Sequence, residues 1–332
     1  MNFLPAGKTQ GVEATSAGEG GSGERPKASL GSVAALVQAR VPPQWRRPRR
    51  LMLIGALVLV VIWLIIATRP TTSRHPAPGT TVFPVGNQVE LRFVHSTGSV
   101  HLKPGTGGQV SITEHRNGFT DAIRTRYRQQ GDMITVTVSI ENGLPTATWV
   151  DFVVAVPQDE TAKVTTGAGT LTAGGLAGNF VLDDTNGSIW AAHIDGSLAL
   201  ATASGSINTS KVSARVSAST GNGTITTIST RLRGFSLIQA QNGTINFHGS
   251  LEPGCRALFK NTNGAIGVTL PRDSAVLVDA RTPSGSINSQ FPSVHVVSNS
   301  DGRRADGRIG RDPSAHLSIR SNGGSIGLNH RS

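Results

Sequence analysis

The chain has 332 residues, of which 40 are glycine and 5% are aromatic, and Cys255 is its one cysteine. A conventional compact core draws on more aromatic side chains, because each buries a large area, so this composition favours stacked short strands. One cysteine excludes an intrachain disulfide and a zinc site built from cysteines. We predict that Cys255 is a small, buried, apolar residue.

The net charge of +11 is spread along the chain. Eight Lys/Arg and three Asp/Glu precede residue 51, so this part has a net charge of +5. Twenty-three Lys/Arg and seventeen Asp/Glu follow residue 68, so that part has a net charge of +6. The later charges are scattered singly, as is typical of a soluble surface. This distribution argues against a nucleic-acid-binding protein.

Residues 1–48 are predicted to form a disordered, basic cytoplasmic tail. The stretch Gly18 to Gly23 has the composition of a flexible linker, and Pro42, Pro43 and Pro48 interrupt any helix.

Residues 51–68 (LMLIGALVLVVIWLIIAT) carry no charge and predict a transmembrane helix. At 1.5 Å per residue, such a helix reaches about 27 Å, which is enough for the hydrocarbon core of a bilayer. The run is longer than the apolar part of a usual signal peptide, and no small-residue cleavage site follows it, so we predict a retained anchor. Processing within residues 69–80 is the alternative.

A cluster of arginines sets the predicted orientation of this single span. Positive residues favour the cytoplasmic side, so the N-terminus is placed in the cytoplasm and the C-terminal domain outside the cell membrane. The same cluster suits contact with anionic lipid headgroups of the bilayer. Its members directly precede the span: Arg46, Arg47, Arg49 and Arg50.

Residues 69–81 are a Pro/Thr-rich spacer, and residues 82–328 are predicted to form an extracytoplasmic β domain. Alternating apolar runs at 89–94, 134–138 and 150–156 predict strands in a less regular first part of this domain.

Regular repeats occupy residues 161–328, where a glycine, a small residue and an Ile or Leu recur about every twenty residues. A constant period of this kind predicts the stacked rungs of a parallel β-solenoid, since no rung can bury its apolar face alone. Related units occur at Gly98 and, at a half period, at Gly196. The glycines of the series are Gly169, Gly187, Gly205, Gly223, Gly243, Gly264, Gly285 and, after a gap of thirty-nine residues, Gly324.

The repeat also predicts which side chains are buried. Asn-Gly and Ser-Gly pairs form corners because glycine accepts positive φ, and the Ile, Leu or Val two residues after the glycine points inward. The Ser or Thr between them points outward. Val212, Ala214, Val216 and Ala218 are predicted to share the inner face. Asn-Gly hairpins in an antiparallel β-sandwich are the alternative fold.

Four stretches resemble the DUF4097 family of bacterial β-strand-repeat domains, which carries the label adhesin. They are VHSTGSVHL at 94–102, VDFVVAVPQDETAKVTTGAGTLT at 150–172, NTNGAIGVTLP at 261–271 and SGSIN at 284–288. The resemblance covers about residues 82–328 and implies a β-repeat domain without established catalytic residues. Many members carry Asp after the repeat glycine, whereas this chain has Ser, Thr or Ala, so no acidic ladder for cations is expected.

No constellation in the sequence predicts catalysis, a cofactor or a metal site. Asp183 and Asp184 are expected to be solvated corner residues, with Asp195 as one further corner acid, and no other acid lies between 196 and 251. A glycosidase needs converging carboxylates, which this spacing does not offer. His193 and His248 could meet in space but fit surface histidines better.

A basic stretch falls in the long gap between the last two repeats. Its Gly/Asp-rich composition predicts a mobile loop. The arginines of this stretch are Arg303, Arg304, Arg308 and Arg311.

Together these features predict a non-enzymatic binding or scaffold module at the bacterial cell surface. The lipid bilayer holds its transmembrane anchor, and an unknown envelope protein or glycan is its partner. An envelope-stress or signalling component that works through the cytoplasmic tail is the alternative, and a carbohydrate-active enzyme is the third candidate.

Overall fold

The computed structural model describes residues 79–94, 98–140 and 148–331. In these ranges every regular element is a β-strand except one 3-10 turn at Thr120–Ala122, so the predicted all-β class is confirmed. No helix among the described residues is long and apolar enough to cross a bilayer. The predicted tail at 1–48, the membrane helix at 51–68 and most of the spacer lie outside the described residues.

The first part of the domain is formed by strands in which most of the alternate, inward residues are apolar. In the seventh of them, for example, Val150, Phe152 and Val154 are fully buried. The strands are β1 (Thr80–Pro84), β2 (Gln88–Val94), β3 (Gly98–Pro104), β4 (Gln109–Asn117), β5 (Ile123–Gln130), β6 (Met133–Ile140) and β7 (Trp149–Val156).

The regular repeats form the middle of the domain. Their strands are β8 (Glu160–Gly174), β9 (Ala177–Ala192), β10 (Asp195–Ser204), β11 (Ile207–Ser210), β12 (Ser213–Asn222), β13 (Ile225–Leu232), β14 (Phe235–Asn242), β15 (Ile245–Leu251), β16 (Arg256–Asn263) and β17 (Ile266–Pro271).

The C-terminal part completes the domain. Its strands are β18 (Val276–Thr282), β19 (Ile287–Ser289), β20 (Val294–Asn299), β21 (Gly302–Ile309), β22 (Ala315–Ser321) and β23 (Ile326–Arg331).

The repeats stack in parallel as rungs, each with one strand on face A and one on face B. Face A contains β10, β12, β14 and β16, and face B contains β11, β13, β15 and β17. β8 and β9 each bend at the repeat glycine and serve both faces, whereas β10 and β11, and each later pair, divide the two faces between them. Equivalent residues meet in neighbouring rungs: Ile207 pairs with Ile189 on one side and with Ile225 on the other. This register is the one that a period of about twenty residues predicts.

The last rung is inserted out of chain order. β22 lies between β16 and β18 on face A, and β23 lies between β17 and β19 on face B. Between them in the chain, β20 and β21 form an antiparallel hairpin, and β21 also pairs with β18. The prediction of a mobile loop is therefore wrong for Arg303, Arg304 and Arg308, because β21 is hydrogen-bonded on both sides.

The N-terminal end is closed in a similar way. β6 and β7 stack in parallel outside β2 and β3. β5 then covers β6 on face A, while β4 and β1 cover β7 on face B, all with antiparallel pairing. Antiparallel pairing thus occurs at the two ends of the described domain, while the strands of the repeats pair in parallel.

The core lies between the two faces and has the predicted composition. The apolar residues two positions after the repeat glycines are buried, as are Val212, Ala214, Val216 and Ala218. Cys255 is 1% exposed, so its predicted burial is confirmed. Removal from water raises the pKa of its thiol to about 11, and the charge of Glu252 makes a smaller contribution in the same direction.

Close approach of neighbouring rungs excludes a side chain at all eight repeat glycines, and five of the eight also have positive φ. A Cβ on Gly205 would overlap the carbonyl oxygen of Gly187, one rung away, and a Cβ on Gly223 would overlap that of Gly205. The corner backbones therefore stack with no room for a side chain.

The opposite corner uses a left-handed backbone at residues that the sequence pattern does not mark. Gly175, His193, Lys211 and Ser229 follow at intervals of eighteen residues and have φ between 53° and 70°. The amides of Gly175, His193 and Lys211 extend the rung-to-rung hydrogen bonding; that of His193, for instance, donates to the carbonyl of Ser210 at 3.0 Å.

Candidate functional site

A column of buried polar side chains lies three residues before the repeat glycines. Thr202 donates to the carbonyl of Gly187 at 3.2 Å, and Thr220 donates to that of Gly205 at 3.0 Å. In a later rung an amide replaces the hydroxyl, and Asn261 donates to the carbonyl of Gly243 at 2.8 Å. These bonds satisfy corner carbonyls inside the domain, so the column is structural.

Asp184 belongs to this column, which corrects the prediction that it is a solvated corner residue. It lies within β9, where alternation turns it inward while Asp183 stays exposed. Asp184 is 0% exposed, and neither carboxylate oxygen has a hydrogen-bond partner of regular geometry. Burial raises the pKa of Asp184, although the Thr166 hydroxyl and the Asn186 amide act in the opposite direction.

The other acids and histidines considered in the sequence do not come together. Asp195 is exposed and pairs with Arg233 at 3.0 Å. His193 lies at the left-handed corner after β9, and His248 lies on β15, three rungs away, which is roughly 14 Å at the usual strand spacing. In the described ranges no group of three or more His, Cys, Asp or Glu residues is placed to hold a metal ion.

A buried charged cluster near the N-terminal end was not found by sequence reasoning. Glu114 on β4 is 3% exposed and accepts hydrogen bonds from Arg116 at 2.8 Å, Thr125 at 3.1 Å and the hydroxyl of Tyr127. Burial and the contact with Glu114 raise the pKa of Tyr127. The Glu114 carboxylate accepts three hydrogen bonds and is enclosed by protein. The cluster therefore holds β4 against β5.

The outer surface of face B contains a groove that spans four rungs, from β8 to β13. Its volume is about 490 Å³. Trp190 on β9 and Ile228 on β13 form its two high points and are 52% and 53% exposed. Asn208 and Ser210 on the intervening β11 form the lower floor. The remaining outward side chains that line it are Thr170, Thr172, Ala192 and Thr226.

The strand register explains this shape. Asn208 lies between Trp190 and Thr226 in neighbouring rungs, and Ser210 lies between Ala192 and Ile228. Two bulky side chains therefore stand two rungs apart, with smaller ones between them. The repeat itself fixes their direction, because the third and fifth residues after each glycine point outward on a strand.

A second cavity of about 500 Å³ continues from Ile228 across β15, β17 and β23. Its lining includes His248, Arg231 and Arg331. Arg231 is 3.7 Å from Glu252. The surface therefore changes from an uncharged end at Trp190 to a basic end near the last rung.

The groove at Trp190 differs in charge from face A. None of the residues that line the groove at Trp190 is ionisable. The outward positions of face A instead include Lys163, which pairs with Glu90 at 2.8 Å, and Arg320, which pairs with Asp279 at 2.6 Å. The exposed tryptophan and the uncharged surface around it make the groove the best candidate for a binding site among the described residues.

The family model described as Toastrack DUF4097 matches residues 89–329. None of the curated proteins matches the chain.

Solved structures with likeness to the chain include three from bacterial species. A "putative adhesin" from Bacteroides fragilis is 10% identical, with 77% of this chain and 98% of that chain covered and a TM-score of 0.38. A "putative lipid binding protein" from Parabacteroides distasonis is 14% identical, with 77% and 98% covered and a TM-score of 0.42. A "putative cell adhesion protein" from Clostridium sporogenes is 9% identical, with 77% and 100% covered and a TM-score of 0.24.

Proposed function

The chain belongs to the Toastrack DUF4097 family of adhesin-like β-repeat proteins, and from this premise we propose that it is a non-enzymatic binding module anchored in the cell membrane. Its working surface is the outer side of face B, and its ligand is a component of the cell envelope. The observation that carries this proposal is the uncharged groove beside the half-exposed Trp190.

The rigidity of this surface supports a binding role. Each outward side chain of the groove lies on a strand that is hydrogen-bonded to a neighbouring strand on both sides. The inward residues of these strands are buried. A surface built in this way loses little conformational entropy when it binds a ligand. An extended row of equivalent positions also suits a long or repetitive ligand.

The placement of the buried acids supports a function without catalysis. The carboxylate of Asp184 is enclosed under the corner of face A, and that of Glu114 is held by three donors. A catalytic acid or base must reach the substrate within hydrogen-bonding distance, directly or through one water, which neither of these groups is placed to do.

The anchor in this proposal is the apolar segment 51–68, with the N-terminus in the cytoplasm and the β domain outside. The arginines before the segment and its uncharged length support this orientation. Protease treatment of intact and permeabilised cells tests it. The protease should cleave the β domain in intact cells. Cleavage that occurs only in permeabilised cells would contradict the orientation.

Binding is tested with the full-length chain in detergent and isolated cell envelopes of the producing bacterium. The Asn208→Arg variant places a long charged side chain in the groove floor, and we expect it to reduce retention on envelopes by about tenfold. Ser217→Arg, at an exposed position on face A, is the matched control and should bind as the wild type does. Equal retention of both variants, or no retention of the wild type, would overturn the proposal.

Deletion of residues 1–45 separates this function from signalling through the tail. The truncated chain should retain envelope binding in full. A phenotype that follows the tail deletion while the Asn208→Arg variant behaves as wild type would favour a signalling component.

A further inference from the structure

The groove at Trp190 has a chemistry that identifies a class of ligand, and this inference rests on the proposed binding function. We propose that the groove binds an uncharged stretch of a polysaccharide, with one sugar ring stacked on the indole of Trp190. The neighbouring hydroxyl and amide groups of face B hydrogen-bond to the sugar hydroxyls.

The first argument is the exposed indole. Trp190 is 52% exposed on a strand whose other face is buried, so its ring is presented to solvent by a fixed backbone. An indole held in this way offers an apolar, electron-rich face. The C–H groups on one side of a pyranose ring form a matching apolar face with partial positive charge, so the two stack well.

The second argument is the set of polar groups around the indole. Thr170, Thr172, Asn208, Ser210 and Thr226 supply hydroxyl and amide groups that both donate and accept hydrogen bonds. Sugar hydroxyls also donate and accept hydrogen bonds, so they pair well with such groups. A charged ligand finds no counter-ion at this end of the groove, because none of its lining residues is ionisable.

The third argument separates a glycan from a protein partner or a lipid. Strong contacts in protein interfaces are enriched in Trp, Tyr and Arg, whereas Ser and Thr are under-represented there and dominate this groove. An acyl chain gains most in an enclosed apolar cavity, whereas this groove is a depression on the outer side of face B that is open to solvent.

The length of the surface fits a polymer. From β8 to β13 the groove crosses three rung spacings, or roughly 14 Å, and continuation through the second cavity to β23 adds three more. Several sugar units can therefore lie along face B, with those nearest Trp190 uncharged and those beyond Ile228 close to Arg331 and His248.

The test is a titration of the full-length chain in detergent with cellohexaose, chitohexaose and an α-1,6-linked mannohexaose, with an oligogalacturonate of six units as the acidic probe. At least one neutral hexasaccharide should bind, and Trp190→Ala should weaken that binding by about tenfold or more. Trp190→Phe should recover part of the affinity. Phe235→Ala, which removes an aromatic side chain of β14 on face A that is also 52% exposed, is the matched control and should leave the affinity unchanged.

Two outcomes would overturn the inference while the proposed function survives. In the first, envelope retention depends on Asn208 but no neutral hexasaccharide binds. In the second, only the oligogalacturonate binds, and its affinity depends on Arg331 and not on Trp190. Self-association of the wild type that Trp190→Ala abolishes would also overturn it, since the groove would then hold a second copy of the chain. A wild-type chain that is not retained on envelopes would overturn the inference and the proposed function together.

Discussion

Asp184 and Thr202 are register partners on adjacent strands, and they occupy equivalent places in neighbouring rungs. Thr202 donates a hydrogen bond to the carbonyl of Gly187, the corner glycine of the rung that contains Asp184. A carboxylate in the same place has no proton to donate, and both oxygens of Asp184 lack a regular partner. One rung of the stack thus carries a buried acid where its neighbours carry neutral donors.

We predict that Asp184→Thr stabilises the domain at neutral pH by about 1–3 kcal/mol, because it removes an unsatisfied buried group and supplies a donor. The pKa of Asp184 is raised in the folded state above its ordinary value of 3.8. Its contribution to stability is therefore fully present below pH 3.8 and is lost as pH rises through the folded pKa. Urea unfolding at several pH values should show that the advantage of the variant grows with pH.

The exposed neighbour supplies the control for this experiment. Asp183→Thr changes an outward carboxylate of the same strand and should alter stability by less than about 0.5 kcal/mol. An Asp184→Thr variant whose advantage is independent of pH would contradict the assignment of the raised pKa.

The stacked corner glycines lead to a second prediction. Gly205→Ala should destabilise the domain by more than about 3 kcal/mol, because the added Cβ overlaps the carbonyl oxygen of Gly187 and the rungs must separate. At Gly174 the nearest atom to an added Cβ is the Ala192 carbonyl oxygen at 3.8 Å, so Gly174→Ala should be tolerated. Thermal unfolding of both variants decides the point. Similar losses in the two would show that close approach is not the reason for the glycine.

The left-handed corner gives a prediction of the opposite sign. Lys211 has φ of 53°, a conformation that costs an L-residue roughly 1 kcal/mol and costs glycine little. Lys211→Gly should therefore raise the free energy of unfolding by up to about 1 kcal/mol. In contrast, Lys260→Gly, within the extended strand β16, should lower it by a similar amount. A loss of stability in both variants would argue against strain at this corner.

The cluster around Glu114 predicts a large effect of a single truncation. Glu114→Ala leaves the side chain of Arg116, which is 9% exposed, without its carboxylate partner, and should cost about 3–5 kcal/mol. The exposed pair of Glu90 and Lys163 is the comparison, and Glu90→Ala should cost less than about 1 kcal/mol. Equal costs in a denaturant titration would mean that the buried cluster does not hold β4 and β5 together.

Much of the repeat architecture could be predicted because it is local. The spacing of the glycines and the alternation around Val212 and Ala214 determine both the rung length and the inner face. The order of the rungs could not be predicted in the same way. Insertion of β22 between β16 and β18 depends on pairing between strands that are far apart in the chain. The hairpin of β20 and β21 contains Gly and Asp residues, which are typical of loops.

The candidate site was only partly visible in the sequence. Outward orientation of Trp190 follows from its position three residues after Gly187, but the groove arises from small residues in two other rungs that the register brings together. The inward turn of Asp184 was missed because Asp-Asp before Thr-Asn-Gly has the composition of a solvated turn. In the structure β9 continues as a strand through this segment.

The central claim is that the outer surface of face B is the surface that binds the envelope. It is tested most directly by thiol labelling of the full-length Asn208→Cys and Ser217→Cys variants, with and without bound envelopes. The native Cys255 adds little background because it is 1% exposed and burial raises the pKa of its thiol to about 11. The account predicts that envelopes slow labelling about tenfold in the Asn208→Cys variant, where bound ligand covers the thiol, and leave the rate in Ser217→Cys unchanged. Unchanged labelling in the Asn208→Cys variant, or protection in Ser217→Cys alone, would contradict it.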